Sequence, residues 1–250
     1  MVSRPDAATG LQRSAPRRTC YSWTSKGNEV ITARGKYIVI EGGDGVGKST
    51  IVQLLAERNS RERGIKTLIT EEPGSMRDEK GNILVPIAHE LRTMIKAKAL
   101  SRSPLTNVLL LNASRRENWL QGIEPALMAG YDVISARNWE STTAYQGFGQ
   151  GWDIDHIEAM VLEATSKEYM HPDFTFILDL PEKERLARQG KRDYNSAADT
   201  FESLTDDFHT RVNDGYRAIA KLRDYPLISA RPSPDDVVDA IWQHMHKTAE

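Results

Sequence analysis

The stretch Gly42-Gly43-Asp44-Gly45-Val46-Gly47-Lys48-Ser49-Thr50 decides the fold, because it matches the pattern G-x-x-x-x-G-K-[ST] of a phosphate-binding P-loop. The apolar, β-branched run 36–41 before it predicts a buried strand, and the periodic run 50–58 after it predicts a helix. In that setting glycines let backbone N–H groups close around phosphate oxygens, and the helix N-terminus adds positive potential. We therefore predict that residues 42–50 bind a nucleoside triphosphate. Lys48 is expected to reach its β- and γ-phosphates, and the Ser49 hydroxyl to hold Mg²⁺.

Length and composition limit the class of protein. A chain of 250 residues suits one α/β domain, and the net charge of −2 argues against a nucleic-acid partner. The single cysteine, Cys20, excludes an intrachain disulfide framework and indicates a reducing compartment. No apolar run reaches about 18 residues, so no membrane span is expected. We predict a cytoplasmic protein.

Residues 1–35 differ from the rest of the chain in composition. They are rich in Arg, Ser and Thr and poor in acids, and no apolar run of signal-peptide length follows the basic residues. An organelle transit peptide has this composition, but no clear amphipathic helix is present. We favour a disordered extension or a start codon placed too early, and we place the folded domain at 36–250.

Strand and helix patterns alternate along the remaining chain. Strands are predicted at 36–41, 65–70, 131–135, 174–180 and 226–229. Helices are predicted after the P-loop and at 83–98, 103–128, 154–169, 181–190, 200–222 and 234–245, with a polar loop at 75–82. This alternation predicts a five-stranded parallel sheet with helices on both faces. Ligands bind at the carboxyl edge of such sheets, where the P-loop, Glu72-Pro73 and Arg137 all leave strands.

Four further stretches narrow the function. They are Glu72-Pro73-Gly74, the segment 111–115, Arg137 with the segment 141–147, and the segment 172–180 followed by a basic segment and 208–216. Together and in this order they resemble thymidylate kinase, over about residues 36–245. The resemblance implies the P-loop nucleoside monophosphate kinase fold, phosphoryl transfer from ATP to dTMP giving dTDP, a requirement for Mg²⁺, and a homodimer.

The resemblance also implies roles for single residues. Arg137 is expected to clamp the acceptor phosphate, which suits a bidentate guanidinium, and Asp44 to contact the sugar 3′-hydroxyl. Arg115 is expected to meet the base carbonyl O4, and Tyr145 to pack against the sugar. The remaining predicted acceptor contacts are Glu72, Pro73, Arg92, Thr142 and Gln146, with Arg77 as a further candidate for the phosphate.

Gly45 is informative because some members of this family carry a catalytic arginine at that place. Members without it are similar to this chain in placing the charge in a lid, here at about 185–200. We therefore predict that Arg188 and Arg192 act with Lys48 and Arg137 in catalysis, with Arg185 and Lys191 as weaker candidates. Asp199 and Glu202 resemble acids at the end of that lid.

The chain departs from the family pattern around the acceptor. Ala136 stands where an aspartate is usual, Leu111 where an aromatic residue is usual, and Glu71 where an arginine is frequent. These changes leave two alternatives to a dTMP kinase. One is a kinase for a different or modified deoxynucleotide, and the other is a non-catalytic relative that binds nucleotide.

Overall fold

The computed structural model describes residues 33–247 apart from 79, 98, 101 and 190–204. A five-stranded parallel sheet with the order β2-β3-β1-β4-β5 forms its centre. The strands are β1 (Tyr37–Gly42), β2 (Thr67–Glu71), β3 (Asp132–Ala136), β4 (Phe174–Asp179) and β5 (Leu227–Ser229). The predicted fold class is confirmed.

Helices connect the strands, as parallel pairing requires. The α-helices are α1 (Lys48–Arg63), α2 (Pro86–Lys96), α3 (Pro104–Asn118), α4 (Glu124–Met128), α5 (Glu140–Thr142), α6 (Ile154–Ala164), α7 (Lys167–Met170), α8 (Glu182–Gln189), α9 (Asp206–Arg223) and α10 (Pro234–Lys247). Two π-helical segments, Trp119–Ile123 and Thr143–Gly149, continue α3 into α4 and extend α5.

The two faces of β1 enter different layers of the core because side chains alternate along a strand. Ile38 and Ile40 pack with residues of α1 and α10 on one face. Tyr37 and Val39 pack on the other face with the Trp119–Ile123 segment and α6. All four side chains are fully buried, so helices on both sides fix β1 and the P-loop that follows it.

Several predicted boundaries were wrong, for local reasons. The helix predicted at 83–98 begins at Pro86, which stands at N1, where its missing N–H costs nothing. The helix predicted at 154–169 is two helices, because the Ser166 hydroxyl accepts a hydrogen bond from Tyr169 N (3.2 Å) and caps α7. The loop predicted at 75–82 is polar only in part, since Met76 is buried and its N–H donates to Asn118 Oδ1 (3.2 Å).

The predicted N-terminal extension and the predicted lid are only partly described. Residues 1–32, and the lid residues Lys191, Arg192, Asp199 and Glu202, lie outside the described residues. Arg34 and Gly35, which we assigned to the extension, contact the domain: Arg34 Nη1 lies 2.6 Å from Asp173 Oδ2, and Gly35 N donates to Leu127 O at 2.9 Å.

Candidate functional site

The P-loop joins β1 to α1 through glycines in conformations that side chains rarely adopt. The φ angles of Gly42, Gly45 and Gly47 are 136°, 87° and 100°. Lys48 lies at the start of α1 and is nearly buried, and its ammonium group donates to Gly42 O (2.8 Å) and Gly43 O (2.7 Å). The Ser49 side chain is exposed one residue further along the helix. The loop therefore presents backbone N–H groups, a cation and a hydroxyl at one helix N-terminus.

A cavity of about 210 Å³ opens beside this loop at the carboxyl edge of the sheet. The predicted site residues that line it are Asp44, Gly45, Gly47, Lys48, Ser49, Glu72, Pro73, Arg92, Arg115, Arg137, Thr142, Tyr145 and Gln146. Those that do not line it are Gly42, Gly43, Val46, Thr50 and Arg188, together with the weaker candidates Arg77 and Arg185. The acceptor residues proposed from scattered stretches of sequence thus share one cavity with the P-loop lysine and serine.

Arg137 lies at the centre of a hydrogen-bond network in the wall of this cavity. Its backbone φ is 74°, which turns the chain sharply after β3. One guanidinium nitrogen donates to Ser141 Oγ (3.0 Å) and Tyr216 Oη (2.9 Å), and the other to Tyr145 Oη (3.1 Å) and Asp44 Oδ1. These partners fix the plane of the guanidinium before any ligand binds.

Asp44 is held as a carboxylate by its surroundings. Burial by itself raises the pKa of this carboxyl, but the charges of Arg137 and Lys48 and the hydroxyl of Tyr145 outweigh it and hold the pKa well below its usual range. Tyr145 donates to Asp44 Oδ2 while its ring lies 5.2 Å from the Arg137 guanidinium carbon. Asp44 and Tyr145 therefore both contact Arg137, the cation that the family resemblance assigns to the acceptor phosphate.

Arg115 forms a second, fully buried cluster against the cavity. Its Nε donates to Glu72 Oε2 (3.0 Å) and Tyr169 Oη (2.9 Å), and its terminal nitrogens to Asn112 Oδ1 (2.7 Å) and Thr142 Oγ1 (3.1 Å). Only 2% of its side chain is exposed. Arg115 thus does not form the kind of surface salt bridge that a charged residue on a helix commonly forms.

Gln146 has an unusual environment. Its side chain is 1% exposed and lines the cavity, yet neither amide atom has a hydrogen-bond partner among the described residues. A buried polar group without a partner costs about 1–3 kcal/mol. A ligand with a donor and an acceptor at this place would remove that cost.

Comparisons with known proteins agree with this geometry. The family model described as thymidylate kinase matches residues 40–241. This chain belongs to the thymidylate kinase family. It is 37% identical over 214 residues to the thymidylate kinase of Rhodopseudomonas palustris strain TIE-1, covering 84% of this chain and 88% of that one. It is 39% identical over 221 residues to that of Afipia carboxidovorans, covering 86% and 91%.

A solved structure supports the same assignment. The crystal structure of thymidylate kinase from Ehrlichia chaffeensis aligns with a TM-score of 0.65 and 28% identity, covering 85% of this chain and 100% of that one. The P-loop nucleoside monophosphate kinase fold expected from the resemblance is confirmed. Among the described helices, none is long and apolar enough to cross a membrane.

Two of the arginines that we predicted for the lid lie on α8, in the described part of the basic segment after β4. Arg188, on α8, donates to Ala230 O (2.8 Å) in the turn after β5 and does not line the cavity. Arg185, one turn earlier, is 1% exposed and its Nη1 lies 3.4 Å from Asp44 O in the P-loop. On α8, Arg185 therefore contacts the P-loop and Arg188 contacts the turn after β5, and neither lines the cavity.

Sequence reasoning missed several residues that line the cavity of this thymidylate kinase relative. Asn138, Ser141 and Lys96 were given no role, and Glu71 was noted only as a departure. Lys96 lies one helical turn after Arg92 on α2, and that i, i+4 spacing was the signal available to find it. Asn138 and Ser141 orient the site through the buried Glu41, which accepts from Asn138 N (2.6 Å) and Ser141 Oγ (2.8 Å).

A second buried carboxyl, Glu140, lies near Glu41. Both are fully buried. Burial, followed by the charge of Glu41, raises the pKa of Glu140 to about 8. Burial also raises the pKa of Glu41, against the opposing charge of Arg137. Glu140 Oε1 lies 3.2 Å from Tyr225 Oη, and Oε2 has no hydrogen-bond partner among the described residues. We interpret Glu140 as a neutral acid at pH 7.

Proposed function

We propose that this protein transfers the γ-phosphoryl group of ATP to dTMP, giving ADP and dTDP, in the cavity lined by the P-loop and Arg137. The observation that carries the proposal is that Lys48 and Ser49 share one cavity with Arg137 and the buried, unpartnered amide of Gln146. The first pair suits a triphosphate and the second suits a nucleoside monophosphate. Phosphoryl transfer needs this arrangement because catalysis depends on positioning and on charge neutralisation.

The acceptor is held at three places in this proposal. Arg137 binds its phosphate, with Arg92 as a second cation in the same wall. Gln146 and Thr142 contact the base edge, where an amide matches the adjacent N3–H donor and carbonyl acceptors of thymine, and Arg115 lies beside them as a further donor. Tyr145 packs against the sugar, with Asp44 placed for the 3′-hydroxyl. An oxygen of the acceptor phosphate then attacks the γ-phosphorus, and ADP leaves.

The donor side depends on the P-loop. Its N–H groups and Lys48 bind the phosphates of ATP, for which the ammonium must leave Gly42 O and Gly43 O. The donor set fits Mg²⁺, since the exposed Ser49 hydroxyl offers one oxygen and Mg²⁺ commonly takes phosphates and waters for the rest. When bound there, the ion would neutralise phosphate charge. We propose that Arg185, which contacts the P-loop at Asp44 O, is the α8 arginine that adds positive charge for the moving phosphoryl group, with Arg188 towards the adenine side and Arg192 unassigned.

The proposed assembly is a homodimer formed through α3 and α6. Leu105, Leu109 and Leu162 on these adjacent helices are each more than two-fifths exposed. Exposed apolar patches of this kind mark interaction sites. Light scattering should give twice the monomer mass of 28.1 kDa. A cytoplasmic location stays a prediction.

Replacing Arg137 tests the proposed function. The purified protein should convert ATP and dTMP to ADP and dTDP, as measured by separating the nucleotides. Arg137→Met should lower kcat/KM for dTMP about a hundredfold or more, because a charge-assisted bidentate contact is lost. Arg61→Met, at an exposed position near the end of α1 that does not line the cavity, is the control and should keep full activity. Equal activity of Arg137→Met and the wild type would refute the assignment.

A further inference from the structure

Glu71 introduces a negative charge into a cavity that we assign to anions. It is the last residue of β2, and its register partner on β3 is Ala136. Both residues line the acceptor cavity. The Glu71 carboxylate lies 2.8 Å from Arg92 Nη2, and 48% of its side chain is exposed.

The three acids that line the cavity differ in how firmly they are held. Asp44 is paired with Arg137 and accepts from Tyr145, and Glu72 is paired with Arg115 and accepts from Tyr169. Both of these carboxylates are largely buried. In the described part of the chain, the carboxylate of Glu71 contacts one cation, Arg92, and is half-exposed, so it can move away at little cost.

Arg92 is held by a different contact. Its Nη1 donates to Pro73 O, and only 19% of its side chain is exposed. The guanidinium therefore keeps its position in the cavity wall when the Glu71 carboxylate leaves, and its Nη2 becomes available to another anion.

We propose that Glu71 sets the affinity of the site for its acceptor: the carboxylate occupies Arg92 until the dianionic phosphate of the acceptor displaces it. This inference rests on the proposed function for the identity of the acceptor. A phosphate dianion competes well for a guanidinium, because it carries more charge than a carboxylate and can bind bidentately. A nucleoside without phosphate cannot displace Glu71. The pair therefore lowers the affinity for the phosphate-bearing acceptor by the cost of the exchange and leaves the affinity for the nucleoside unchanged.

The test compares Glu71→Gln with the wild type by calorimetric titration of dTMP and of thymidine, without ATP. Glu71→Gln should bind dTMP about three- to tenfold more tightly, because one negative charge near the phosphate is removed in a partly screened site. Thymidine affinity should not change. Glu90→Gln is the matched control: it makes the same change on the same helix as Arg92, at an exposed position that does not line the cavity.

Two further measurements separate competing explanations. In an Arg92→Ala background the gain from Glu71→Gln should disappear, whereas a gain that persists would show simple repulsion and overturn the competition for Arg92. Titration of inorganic phosphate, followed by ³¹P NMR, tests the exchange even if dTMP is not the acceptor. Unchanged or weaker phosphate binding by Glu71→Gln would overturn the inference, while absence of dTMP turnover by the wild type would overturn only the proposed function.

Discussion

Replacing Gln146 with leucine should raise the stability of the protein and lower its activity. The amide is buried without partners in the free protein, so leucine, of similar size, removes an unsatisfied polar group. We expect the free energy of unfolding to rise by about 1 kcal/mol. Substrate should lose two hydrogen bonds of about 1 kcal/mol each, which lowers kcat/KM for dTMP about thirtyfold.

The assay pairs chemical denaturation with steady-state kinetics. Thr143→Val is the matched control, since the Thr143 hydroxyl is also buried without a partner among the described residues, but the residue does not line the cavity. Thr143→Val should gain stability and keep kcat/KM. If Gln146→Leu loses stability while kcat/KM for dTMP is unchanged, Gln146 is a structural residue and the base assignment is wrong.

Three other replacements test the buried charges. Burial and the charge of Glu41 raise the pKa of Glu140 from 4.5 to about 8, so the folded state keeps a proton that the unfolded state releases. Stability therefore falls as pH rises between these values. Glu140→Gln should reduce that slope in denaturation curves and add about 2–4 kcal/mol above pH 8, with little change near pH 4.5. An identical pH slope in the variant would contradict this. Arg115→Met leaves Glu72 buried without its cation and should lower the unfolding free energy by about 3–5 kcal/mol. A loss below about 1 kcal/mol would show that stability does not depend on this cluster. Asp132→Ala removes a buried carboxylate that accepts hydrogen bonds from Lys36 N, Asn59 and Arg63, far from the cavity. It should lower the unfolding free energy by about 3 kcal/mol and leave KM for dTMP unchanged. A raised KM would show that the amino edge of the sheet is coupled to the carboxyl edge.

The sheet and the P-loop were predictable because their signals are local. The continuous apolar, β-branched run of β1 and the fixed glycine pattern of the P-loop are each recognised from a few neighbouring residues. The helix boundaries were less predictable, since a proline at N1 or a capping serine shifts them by a turn. The π-helical segment Thr143–Gly149 has no sequence signature that we used, yet it carries Tyr145 and Gln146 into the cavity.

The charge partners could not be predicted from sequence. Arg137 meets Asp44 across 93 positions, and Arg115 meets Glu72 across 43, so only the fold brings them together. The contacts of the arginines after β4 also depend on the fold. Composition marks the segment as basic, but the contact of Arg188 with Ala230 depends on the direction of α8.

The most direct test of the central claim is a ranking of acceptors. The wild type and Lys48→Ala are assayed for ADP formation with ATP, Mg²⁺ and each nucleoside or deoxynucleoside monophosphate in turn. We predict that dTMP has the highest kcat/KM and that Lys48→Ala abolishes the activity with every acceptor. A higher kcat/KM for another monophosphate, or turnover that survives in Lys48→Ala, would contradict the account.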